Sequence, residues 1–328
     1  MKALVVGYGS IGRRHIDNLT RFFDADVLVC TKQKYDDFLL KRGCKIVKSL
    51  DESIKEKPDI AIISNVTSAH VKTALELARS NVDLFIEKPL ANSLFGVTDL
   101  MNISKKRKLV TFMGCNMRFH PAIKTIRDII AKKEIGRIIS VRAENGSYLP
   151  SWHPYEDYRK RYAARNDLGG GVVLTNIHEI DYLYWFFGNV SEILSITGKF
   201  SDLDLASEDL SSSLLRFKSK IIAELHLDYF QRPAFRSFKA IGTKGTIYWD
   251  SDSNTVKVYY SKKKKWIEKL KLKNYNINDS YVKEMSYFLR CVKRREETFN
   301  TIYDGAETLK IALAEKNASN SRKVIRLK

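Results

Sequence analysis

The sequence predicts a two-domain α/β chain: an N-terminal doubly wound parallel sheet, then an α+β domain with an open, largely antiparallel sheet. Three observations predict it. Short, wholly apolar runs alternate with amphipathic stretches up to about residue 118; beyond it, apolar and polar residues alternate along longer strands; and two amphipathic stretches close the chain. Wholly apolar runs suit strands covered on both faces, whereas alternation suits a sheet covered on one. A chain of 328 residues is long enough for two cores, placed here at residues 1–118 and 119–328.

In the first part, Ala3–Val6, Val27–Val29, Ile60–Ile63, Leu84–Ile86 and Leu109–Phe112 read as buried strands. Helical patterns lie between most of them, the βαβ rhythm of a parallel sheet. The second part opens with one long helical pattern and continues with strands such as Ser213–Lys218 and Ile221–Tyr229. The closing stretches, about Tyr281–Lys293 and Tyr303–Asn317, read as helices, and internal repeats are absent.

Fifty-seven basic against 38 acidic residues give a formal charge of +19, with 44% hydrophobic and 29% charged residues. That balance is globular, and it favours encounter with anionic small molecules. The one dense basic run, Lys262–Lys265, lies between Tyr260 and Trp266, where a hairpin tip puts it in water. With no recognised motif and no interleaving of basic and aromatic strands, nucleic acid is not an expected partner. No apolar stretch approaches the roughly 20 residues of a bilayer span, and the first strand pattern begins at Lys2, so neither a membrane partner nor a secretory signal is expected. Cys30, Cys44, Cys115 and Cys291 are scattered without metal-ligand spacing, which points to reduced thiols, no metal, and a cytoplasmic protein.

Directly after the first strand comes Gly7-Tyr8-Gly9-Ser10-Ile11-Gly12, leading into a helical pattern. In this strand-turn-helix setting the first glycine makes the tight turn, the second admits a pyrophosphate to the backbone N–H groups, and the third allows close helix packing. The helix N-terminus adds a partial positive charge. The signature therefore predicts a Rossmann domain binding NAD or NADP. After the second strand, where an NAD site usually carries an acidic residue, the chain has Cys30-Thr31-Lys32-Gln33-Lys34. Thr31 and Lys32 suit a 2′-phosphate, which favours NADP; Lys32 and Lys34 as plain loop charges is the other reading.

The strand ending Phe85-Ile86 runs out into Glu87-Lys88-Pro89, and Ser64-Asn65-Val66-Thr67-Ser68-Ala69-His70 follows the strand before it. Further on come Asn116-Met117-Arg118-Phe119-His120-Pro121 and Gly169-Gly170-Gly171, leading to Thr175-Asn176-Ile177-His178. With these motifs, in this order over residues 3 to 188, the chain resembles the glucose-fructose oxidoreductase / inositol dehydrogenase / MocA family. The resemblance implies a hydride-transferring sugar dehydrogenase or reductase, its cofactor held by the first domain through Gly7–Gly12, Thr31, Lys32, Ser64, Asn65, His70, Glu87, Lys88 and Asn116. It implies that Lys88 holds the reacting oxygen and that His178 is the proton donor or acceptor, with Arg118 and Thr175 near the substrate. A homodimer or homotetramer formed through the second sheet is also implied. The chemistry needs such a base, because hydride leaves a carbinol only as its hydroxyl proton is removed, and an imidazole titrates near neutrality.

Residues 172 to 187 read as one helix ending at Gly188, with Thr175, His178 and Asp181 on one stripe. Asp181 either orients the imidazole or serves packing. The family usually carries an Asp three or four residues before the His; here Leu174 and Thr175 stand there. This departure keeps two alternatives open beside the dehydrogenase, a glycosidase-like enzyme that oxidises its sugar transiently and a cofactor-binding sensor without turnover. The loop from Tyr148 to Arg165, rich in aromatic and Arg residues, is the candidate for sugar recognition, with Tyr158 and Arg159 its leading contacts.

Overall fold

The computed structural model describes residues 1–327. The chain forms two compact units, Met1–Asn116 with Asn278–Leu309, and Met117–Ile277 with the residues from Lys310 onward.

The first unit begins β1 (Lys2–Val6), α1 (Ser10–Phe22), β2 (Asp26–Cys30), α2 (Asp37–Leu40), β3 (Lys45–Val47) and α3 (Leu50–Lys55). It continues β4 (Ile60–Ile63), α4 (His70–Arg79), β5 (Asp83–Glu87), α5 (Val97–Lys106) and β6 (Thr111–Gly114). The six strands are parallel in the order β3-β2-β1-β4-β5-β6. The order reverses between β1 and β4, where a doubly wound sheet opens a crevice at its carboxyl edge. β4 and β5 are buried throughout, and the residues between the charged ends of β5 and all of β4 are apolar, as burial on both faces requires. Strand β3 escaped the sequence reading because it is a three-residue edge strand with one buried side chain.

The second unit runs α6 (Pro121–Ala131), β7 (Ile138–Gly146), α7 (Val172–Thr175), α8 (His178–Phe187), β8 (Val190–Gly198), β9 (Leu210–Phe217) and β10 (Ile222–Asp228). It goes on with β11 (Phe235–Gly242), β12 (Gly245–Asp250), β13 (Thr255–Tyr260) and β14 (Lys265–Lys271). Nine strands lie in the order β14-β13-β12-β11-β7-β10-β9-β8-β15, β15 being Ile325–Arg326, and only β7 and β10 pair in parallel. The basic run does sit at the β13–β14 hairpin turn.

Along β9 burial alternates residue by residue, and its register sets Leu214 opposite Leu194 and Glu224 on one face. That face carries exposed apolar side chains, among them Ile196 at 63% exposure, and a depression of about 540 Å³.

The closing helices are α9 (Asn278–Arg294) and α10 (Ile302–Ser321). The single boundary expected at 118 assigns both to the second domain, but the structure puts 278–309 in the first unit. Asn278 at the start of α9 exchanges side-chain hydrogen bonds with Asn18 of α1 at 2.9 and 3.3 Å, and Asn300 Nδ2 donates to the Met113 carbonyl of β6 at 3.0 Å. Sequence distance hides such contacts.

Candidate active site

At the carboxyl edge of β1, Gly7 has φ +101°, and a Cβ there would lie 2.6 Å from the Asn65 nitrogen. Only glycine lets the turn after β1 meet the turn after β4. A Cβ on Gly12 would lie 2.1 Å from the Gly7 carbonyl, so this glycine allows α1 to start against the turn. Gly9 differs, because a Cβ there would meet nothing within 4 Å. Gly9 is also the N-cap of α1, and no side chain caps it. The first-turn N–H groups, with Ser10 and Ile11, are therefore presented beside open space, the arrangement a pyrophosphate needs. These residues fit a dinucleotide.

The rest of the first-unit set divides. Ser64 Oγ donates to the Val6 carbonyl at 3.1 Å, and Asn65 Nδ2 donates to Thr73 at 3.0 Å, so both brace the crevice. Thr31 accepts the Gln33 N–H, Lys32 is exposed, and Asn116 is buried in the turn after β6. His70, expected at the cofactor, is buried instead, with Nδ1 2.8 Å from the Pro89 carbonyl and Nε2 3.1 Å from that of Asn65. Burial lowers its pKa. Glu87 is likewise turned inward, its Oε1 2.7 Å from His15 Nε2. Lys88 between them is partly exposed.

Sequence reasoning found no carboxylate beyond β2, yet the fold brings one back. Asp36 caps α2 and accepts from the Tyr8 hydroxyl at 2.8 Å and from Arg13 at 2.9 Å. Burial opposes its ionisation, but the bonds from Tyr8, Leu39 N–H and Arg13 outweigh it and hold Asp36 below the usual carboxylate range.

In the second unit the expected helix 172–187 is interrupted at Asn176 and Ile177, so His178 opens α8 rather than sitting mid-helix. It is half-buried. Asp181 settles on packing: both its oxygens accept from Arg118 at 2.8 Å, and Arg118 is 1% exposed. A bidentate buried pair of this kind holds Arg118, expected near the substrate, in the interior of the second unit. Thr175 is buried beside the Tyr229 hydroxyl, and Leu174 is buried as well.

The loop residues Tyr158 and Arg159 make contacts of their own within the unit. Arg159 pairs with Asp157 at 2.8 Å and with Asp204 at 3.4 Å, while the Tyr158 hydroxyl accepts the Asp204 N–H at 3.0 Å. Arg161 pairs with Glu156 and Arg165 with Asp167. The acidic residues interspersed in and around this loop neutralise its cations.

One loop residue does line a cavity. Trp152, Trp249, Arg236, Asn145 and Asn176 border a groove of about 570 Å³ in the second unit. Asn176 Nδ2 is buried without a hydrogen-bond partner among the described residues, two positions before His178. Arg236 lies 2.7 Å from Glu179, the residue after His178. Strand pairing brings these residues together from β7, β11 and β12, and no sequence motif announces them.

Profiles of known families match both units: "Oxidoreductase family, NAD-binding Rossmann fold" over residues 1–115 and "GFO/IDH/MocA C-terminal domain" over residues 123–248. The chain belongs to the GFO/IDH/MocA oxidoreductase family. Within the family, it is 24% identical to the myo-inositol 2-dehydrogenase of Thermotoga maritima across 100% of this chain and 98% of that protein. Among solved structures, a levoglucosan dehydrogenase in complex with NADH superposes with a TM-score of 0.89 at 14% identity, covering 100% and 99% of the two chains. A UDP-N-acetylglucosamine 3-dehydrogenase from Acidithiobacillus ferrooxidans gives 0.81 at 20% identity, with 98% of each chain covered. At these identities the structural likeness speaks for the fold. Among the described residues no helix is long and apolar enough to cross a membrane.

Proposed function

We propose that this oxidoreductase is an NAD(P)-dependent dehydrogenase or reductase of a sugar or polyol. The observation that carries the reading is the crevice of the first unit, where Gly7 closes on Asn65, Gly9 faces open space and the N-terminus of α1 is uncapped. Bound there, the nicotinamide dinucleotide supplies a two-electron hydride acceptor or donor. The N–H groups at the start of α1 hold its pyrophosphate. Lys88 donates a hydrogen bond to the reacting oxygen, and His178 takes the hydroxyl proton during oxidation and returns it during reduction. The groove bordered by Trp152, Arg236 and Asn176 supports a sugar: the partly exposed Trp152 indole offers apolar surface to a pyranose ring, and Arg236 and Asn176 offer N–H donors to its hydroxyls.

Among cofactors, Thr31 and exposed Lys32 support NADP, because a lysine at the end of β2 complements a 2′-phosphate. The exposed apolar face of the nine-stranded sheet supports a homodimer or homotetramer. The free cysteines fit a cytoplasmic setting.

The test is a panel of myo-inositol, levoglucosan and UDP-N-acetylglucosamine with NAD⁺ and NADP⁺, read by absorbance of the reduced cofactor. Lys88→Ala and His178→Ala are expected to abolish turnover while NADPH still binds. Unchanged turnover in both variants removes the assigned roles. Binding of cofactor and sugar with no turnover in the wild type favours the sensor.

A further inference from the structure

The fold surrounds Lys88 with two buried histidines that the reaction itself does not use. His15 lies on α1, three residues past Gly12, and is 0% exposed. Its Nε2–H donates to Glu87 Oε1 at 2.7 Å. The Glu87 side chain is walled in on the other side, since a Cβ on Gly114 would stand 3.1 Å from the same oxygen. Glu284 of α9 reaches the same place, and the nearest ligating atoms of His15, Glu87 and Glu284 all lie within 4.8 Å of one another. On the far side of Lys88, His70 Nδ1–H donates to the Pro89 carbonyl at 2.8 Å, while its Nε2 faces Asn65, the residue that meets Gly7.

The residues immediately before and after Lys88 are thus each tied by a buried imidazole to an element of the cofactor crevice, α1 on one side and the turn after β4 on the other. A backbone fixed at both neighbours leaves the lysine only its own side-chain torsions, and a catalytic group must be held to within a fraction of an ångström for full effect. We infer that His15 and His70 are positioning residues, a clamp that aims the Lys88 ammonium into the cofactor crevice. The inference rests on the role proposed above for Lys88.

Competitive acetylation of the full-length protein with acetic anhydride, read lysine by lysine by mass spectrometry with and without saturating NADH or NADPH, tests it without any sugar. In the wild type, cofactor protects Lys88 by at least about fivefold, the factor one hydrogen bond of ordinary net strength gives. In His15→Met and His70→Met this protection disappears, cofactor affinity falls by no more than about the fivefold that one hydrogen bond is worth, and the other lysines label as before. His15→Gln and His70→Gln, whose amides can donate the same bonds, restore it. A loss of packing alone lowers the melting temperature but leaves protection of Lys88 in the folded fraction intact. Should the Met variants fail to fold, Glu87→Met removes the acceptor and leaves both histidines, with the same loss expected.

Absent protection in the wild type removes the Lys88 ammonium from the cofactor crevice and overturns the clamp, while loss of the Lys88 role itself is read from Lys88→Ala turnover. Protection in the wild type that persists unchanged in His15→Met and His70→Met, or in Glu87→Met, overturns the clamp alone.

Discussion

Glu315 of α10 offers the sharpest test of the electrostatics of this fold. Its side chain is fully buried against β8 and β9, where Oε2 accepts from the Ser211 hydroxyl at 3.2 Å. Ser195, Thr197 and Ser213 complete a chain of hydroxyls at 2.7–2.8 Å spacing. Burial pushes its pKa from the ordinary 4.5 up to about 8, the serine hydroxyls opposing and the Glu208 charge assisting. The native state therefore keeps a proton that the unfolded chain loses, so stability falls as pH rises from about 4.5 to about 8. At about 1.4 kcal/mol per pKa unit, the ceiling on that loss is about 5 kcal/mol. Glu315→Gln is a neutral replacement of the same shape, and the hydroxyls can rotate to accept from its amide. Urea unfolding of both proteins across pH 4 to 9 measures the difference. The variant should match the wild type near pH 4, gain roughly 1 kcal/mol per pH unit through the window, and level off above pH 8. A difference that does not change with pH would mean that Glu315 is ionised in the native state, and the reasoning fails.

Other consequences are equally direct. Asp181→Ala removes the bidentate carboxylate from the buried Arg118 guanidinium and should cost about 3–5 kcal/mol in chemical denaturation; a loss under about 1 kcal/mol would show that the pair carries little of the stability. Gly9→Ala adds a methyl group where the structure has open space, so the melting temperature should hold while NADPH affinity, followed by fluorescence titration, falls at least about tenfold, equivalent to about 1.4 kcal/mol. Gly12→Ala meets the Gly7 carbonyl and should lower both. If the exposed sheet face forms the homodimer or homotetramer proposed above, Leu214→Glu, which puts a charge on that face, should give a monomer in light scattering where the wild type is larger, with the melting temperature little changed, since the side chain is already 46% exposed.

What the sequence by itself determined is whatever depends on neighbours in the chain. Gly7 to Gly12 follow a buried strand and open a helix, so the glycine turn was legible from spacing alone. The wholly apolar strands declared a parallel sheet because both faces are covered, and the alternation of β9 and β10 declared a sheet with one face bare. Tertiary structure decided everything that depends on pairing across distance. The partners of a charge are not written beside it, so His70 and Glu87 turned inward, Arg118 was committed to Asp181, and Arg159 to Asp157 and Asp204. Asp36 returned to the glycine turn through a loop, and α9 returned to α1 from the far end of the chain. The groove with Trp249 and Arg236 exists because β7, β11 and β12 are neighbours in the sheet, and strand order is fixed by the burial of whole faces rather than by any local run of residues.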